Sequence, residues 1–138
     1  MATITSVKKA VAGHNEPVTI VINQRNGDPY TGADGKPSTV DVLGSESDAV
    51  RRVQIAQGRR MLRSRKPTIE PEDIEANRIE RAAAAVTGWS GWEDDDGKPA
   101  PATPDNFKAF LKADSDILRQ VEEAIERHSV FSDRNSES

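Results

Sequence analysis

The sequence predicts an α+β fold, mostly helical, with an N-terminal β-hairpin followed by about four helices. Three observations predict it. Two runs rich in β-branched residues, "VTIVIN" (18–23) and "STVDVL" (38–43), flank a segment dense in Gly and Pro. After them, hydroxyl, proline and glycine punctuation divides the chain into segments whose apolar residues recur at three- and four-residue steps. Finally, 35% apolar against 30% charged residues in a chain of 138 allows one modest core, and the absence of cysteine excludes disulfides and thiolate metal sites.

Residues 1–17 lack a sustained period and hold the breakers Gly13, Asn15 and Pro17, so they read as a flexible arm. Residues 18–131 read as one small domain, and the polar residues 132–138 as a flexible tail. The hairpin has a long connection containing Gly27, Pro29, Gly32, Gly35 and Pro37. Ser45 or Ser47 then caps a helix over 48–65, with acid in its first turn and bases in its last. Its residues Val50, Val53, Ile55, Ala56, Met61 and Leu62 predict a core-facing side. Gly58 lies in that seam, where close approach of another element would offset its helix cost of roughly 1 kcal/mol.

Pro67 stops this helix and Pro71 opens the next, which Gly88 is expected to terminate. Trp89 directly follows that stop and is expected to fold back into the core, against 79–86 and the last helix. Thr103 as cap and Pro104 at the first helical position start a short helix to about Lys112. The last helix begins near Asp114 or Asp116 and runs to Phe131.

No enzyme chemistry is patterned here. His14 and His128 lack serine, cysteine or acidic partners at useful spacing, and no P-loop or dinucleotide fingerprint occurs. The acids Glu93, Asp94, Asp95 and Asp96 before Gly97 suggest a calcium loop. Placing Gly97 at the glycine position, however, puts Trp92 and Thr103 where the first and twelfth ligands belong, so a solvated turn is expected instead. No metal and no cofactor is expected. "DGKP" occurs at 34–37 and again at 96–99, which we read as repeated turn chemistry rather than a duplicated domain.

Two candidate binding surfaces remain. The segment 50–66 carries seven bases and no acid, among them Arg51, Arg52, Arg59, Arg60 and Arg63, followed by Arg65 and Lys66. These could meet phosphates, but no helix-turn-helix spacing or stacking aromatics accompany them, so nucleic acid is disfavoured against a solvated face or one paired with acids of this chain or of a partner. Trp92, with Phe107 and Phe110, is the second candidate. Neither a membrane span nor a signal peptide is expected.

The stretch "AAAAVTGWSGWEDDDGKPAPATPDNFKAFLKADSDILRQVEEAIERHSVF" resembles the C-terminal half of small tail assembly chaperones from long-tailed, siphovirus-like bacteriophages and prophages. Its shared features are a helix ending in Gly88-Trp89, the acidic "DGKP" turn, the Thr103-Pro104 start, a helix around 107–111 and a last helix ending in Phe131. The hairpin, "DVLGSESDAVRR" and the arginine-rich helix extend the resemblance over 17–131. Trp92 and the length of the acidic run depart from the pattern. The resemblance implies a non-enzymatic chaperone in the host cytoplasm. It would bind the tape measure protein, help recruit the tail tube protein and leave before the virion matures. It also implies a longer frameshift product and allows weak self-association. The alternative expectation is a permanent head, neck or tail component of the virion, and the third is a nucleic-acid-binding module.

Overall fold

The computed structural model describes residues 2–64 and 70–128. Its order is α1 (Ile4–Ala12), a 3-10 turn (Gly13–Asn15), β1 (Val18–Val21), β2 (Thr39–Val42), α2 (Asp48–Arg63), α3 (Pro71–Ala85), β3 (Val86–Ser90), α4 (Pro104–Ala113) and α5 (Ser115–Glu126). The class is α+β and mostly helical. The expected order, hairpin before all helices, is corrected at two places. Arg65, Lys66, Pro67, Phe131 and the tail 132–138 lie outside the described residues.

The first correction is α1. Thr3 and Ser6 form a reciprocal capping box at its start, and the breakers Gly13 and Asn15 follow the helix rather than interrupt it. None of its residues is buried. The chain is fastened just beyond it, by a latch around His14. The Gly44 N–H donates to the His14 carbonyl (2.8 Å), and the Glu46 N–H donates to His14 Nδ1 (3.2 Å). Asn15 Oδ1 accepts from the Asp48 N–H (2.8 Å), at the start of α2. A β-carbon at Gly44 would overlap the His14 ring.

His128 completes the latch. It is buried, its Nε2 donates to the Glu16 carbonyl (2.6 Å), and its ring stacks on His14 with centroids 5.3 Å apart.

The second correction is β3. Gly88 does not end α3; the helix stops at Ala85, and Val86 continues directly as a strand. Val86 and Thr87 are β-branched, and β2 offers a free edge. Val40 pairs with Trp89, Asp41 with Gly88, and Val42 with Val86 across a bulge between Asp41 and Val42. The result is an antiparallel sheet in the order β1-β2-β3. Pairing of the Leu43 N–H with the Ala85 carbonyl (2.8 Å) joins the helix end to the sheet.

The connection from β1 to β2 is not one long loop but two consecutive tight tips. "NQRNGDP" (23–29), "TGADGKP" (31–37) and, after β3, "EDDDGKP" (93–99) adopt one conformation. In each, the first residue bridges the final proline, and the second residue's N–H donates to the sixth residue's carbonyl. The glycine N–H donates to the second residue's carbonyl, with φ of 92° at Gly27 and 78° at Gly35 and Gly97. That is a type I turn closed by a left-handed residue, a geometry that favours glycine. The repeated "DGKP" is thus a repeated turn, and "NGDP" is a third copy.

One core joins the sheet to α3, α4 and α5, through Ile22, Val40 and Val42 against Ile79, Ala82, Ala85, Phe107, Leu111, Leu118, Val121 and Ile125. Thr103 and Pro104 open α4 as expected, with the Thr103 hydroxyl accepting from the Asn106 N–H. Asp114 caps α5 in the same way through the Asp116 N–H.

Candidate functional site

The two sequence candidates end up in different environments. Trp92, Phe107 and Phe110 join Trp89 and Tyr30 in one aromatic cluster. Ring centroids lie 4.5 Å apart for Trp92 and Phe110, 4.9 Å for Trp89 and Phe107, 5.5 Å for Trp89 and Phe110, and 5.7 Å for Tyr30 and Trp92. Phe107 is buried, while Trp89, Trp92 and Phe110 are half-buried against the core. The indole of Trp89 donates to the Ala100 carbonyl and that of Trp92 to the Thr39 carbonyl, both at 3.0 Å. The ring partners of Trp89 thus come from α4 and Trp92.

Two of the four acids following Trp92 also have partners. Glu93 accepts from the Ala33 N–H of the neighbouring tip, and Asp94 accepts from the Asp96 and Lys98 N–H groups. Among the described residues, no group of three or more His, Asp or Glu side chains is arranged to hold a metal.

The basic candidate lies on an antiparallel pair, α2 and α3, whose inward line on α2 is Val50, Val53 and Gln57. Only Val50 is buried. Gln57 donates to the Asn77 carbonyl and to Glu80, and Arg60 also pairs with Glu80, so Arg60 is committed within the chain. Arg51, Arg52, Arg59 and Arg63 are exposed, with no ion pair or side-chain hydrogen bond among the described residues.

Partial burial alone would push the Glu80 carboxyl up. The hydrogen bonds from Gln57 and Arg60, with the charges of Arg60 and Lys108, outweigh it and hold the group below its ordinary value. A carboxyl lowered on folding stabilises the native state above its unfolded value and loses that contribution as pH falls through the folded one. Urea titrations at neutral pH and at pH 3 should therefore show a smaller stability loss on acidification for Glu80→Gln than for the wild type. Equal losses would disprove the tie.

The expected core-facing side of α2 is corrected here. Ile55, Met61 and Leu62 are 53%, 57% and 88% exposed, and Ile74 on α3 is 51% exposed. These apolar residues are spread too widely around α2 to face one core. Of the expected side, Val50 and Val53 do face inward, and Gln57, which the apolar pattern passes over, continues their line at helical spacing.

Gly58 sits amid Ile55, Met61 and Leu62, and a β-carbon there would meet nothing within 4 Å. No described element makes the close approach expected from its place in the seam. Gly58→Ala should consequently stabilise the isolated protein by about 1 kcal/mol, read as a raised Tm. An unchanged or lowered Tm would mean that the space is occupied.

No helix among the described residues is long and apolar enough to cross a membrane. Comparison of the chain with protein-family models, curated proteins and solved structures found no match.

Proposed function

We propose that this chain is a tail assembly chaperone of a long-tailed bacteriophage or prophage, acting in the host cytoplasm without catalysis. It binds the tape measure protein, keeps that protein soluble, and assists tail tube assembly. The likeness over 17–131 supplies the partner's name. The supporting observation in the fold is the α2–α3 hairpin, where Ile55, Met61, Leu62 and Ile74 stand exposed beside four arginines that have no partner among the described residues. Exposed apolar groups rimmed by polar ones mark protein-binding surfaces. A surface serving phosphates alone has no use for a leucine 88% exposed.

Co-expression with the tape measure protein tests the reading. The expected result is that this chain raises its partner's soluble fraction and co-purifies with it, yet is scarce in purified virions by mass spectrometry. Failure to co-purify, together with a fixed copy number in mature particles, would replace the chaperone by a structural virion component.

A further inference from the structure

We propose that the side of the α2–α3 hairpin centred on Gly58 is a docking groove for a single helix of a partner protein, one whose apolar stripe is flanked by carboxylates. The inference rests on the reading of this hairpin as the partner-binding element and specifies what it binds.

In helix packing, a side chain of one helix enters a hole bounded by residues at i, i+3, i+4 and i+7 of the other. Two such holes on α2 share Gly58: Gln54, Gln57, Gly58, Met61 and Ile55, Gly58, Arg59, Leu62. Because Gly58 contributes no side chain, both are deep. Its surroundings are empty within 4 Å of a β-carbon, and the first hole, with Ile74, Asn77 and Arg81 of α3, forms a groove of about 420 Å³ that the second hole adjoins through Gly58. A glycine in mid-helix lowers helix stability, and nothing described in this chain packs there to compensate. A helix arriving from outside would.

Charge selects the kind of helix. No carboxylate lines the groove, whereas Glu72, Glu75 and Glu80 line the cleft on the other side of α3. Arg81 spans from the groove to a second cleft that holds Glu122, Glu123 and Glu126, and its buried Nε has no acceptor among the described residues. Arg51 and Arg59 stand beside the apolar residues, also without carboxylates. An occupant carrying acids beside its apolar stripe supplies what these cations lack. A second copy fits poorly, because the acids of its α3 surround one exposed apolar residue, Ile74, rather than a stripe. The exposed apolar residues Ile4 and Val7 of α1 are accompanied by Lys8 and Lys9, which would face arginines.

The test uses the full chain and fluorescent synthetic helices of three heptads with one Leu/Ala apolar stripe, flanked by Glu in one peptide and by Lys in the other. A DNA duplex is the third probe. Wild type should prefer the Glu-flanked helix. Gly58→Met should weaken that binding by about tenfold or more, as blocking one packed anchor does, while the fold keeps its Tm or gains. The double change Arg51→Glu with Arg59→Glu should turn the preference towards the Lys-flanked helix.

Equal affinity of wild type and Gly58→Met for the Glu-flanked helix would overturn the groove, as would a wild-type preference for the Lys-flanked helix or for DNA. The tape measure protein separates this inference from the function. Its retention by wild type and Gly58→Met alike leaves the chaperone reading standing and removes the groove. Binding of the acidic helix that Gly58→Met abolishes, without any capture of the tape measure protein, does the reverse.

Discussion

Replacement of Trp89 by alanine is expected to destabilise the fold by roughly 3 kcal/mol, at the lower end for removing a large aromatic because the ring is half-buried. Trp89 touches Phe107 and Phe110 edge-on, at interplanar angles of 80° and 84°, and lies beside Trp92. Edge-to-face contacts add to area burial, and the change also removes the donor to the Ala100 carbonyl. β3 is an edge strand, so the loss falls where pairing on one side is the only backbone support. Chemical denaturation checks the value. A loss under about 1 kcal/mol, the scale of an ordinary surface change, would show that the cluster does not hold β3 to α4.

Replacement of His128 by alanine is expected to cost about 2 to 3 kcal/mol, combining a small cavity with the lost donor to Glu16. The His14 ring loses its stacking partner, and with it the support of the contacts that Glu46 and Asp48 make to the latch. Deleting residues 2–12 should by contrast cost about 0.5 kcal/mol or less, because α1 buries nothing. Thermal unfolding of the two variants side by side distinguishes a latch that holds the fold from one that only positions α1. Equal destabilisation by both would contradict this division.

Much of the helical layout was legible because its signals are local. Thr103-Pro104, Ser47, Pro71 and Asp114 each act within one turn, and the structure places a helix start at each. β3 was not legible, since a run of alanines followed by Val-Thr-Gly reads as a helix reaching its stop. Beyond the β-branched pair Val86 and Thr87, it is the free edge of β2, paired at separations from Val42–Val86 to Thr39–Ser90, that favours a strand there. The His14–His128 pair is hidden for the same reason, its members being 114 positions apart. On α2 the local signal was ambiguous: apolar residues on two lines, of which one is inward. Gly58 stands out in the sequence, but no described element makes the approach expected there.

The continuity of α3 with β3 has a mechanical meaning for the hairpin. Ala85 and Val86 are consecutive, and the Ala85 carbonyl is bonded to Leu43 at the end of β2, so both roots of the hairpin are clamped to one sheet. No soft segment is left at the base of α3 for a hinge, and swinging this helix would break β2–β3 pairs. The groove beside Gly58 is therefore carried on a stiff mast. Its orientation is fixed when the chain folds, and an arriving helix need not first gather a wandering target. Such preorganisation concentrates the ordering cost of association on the partner.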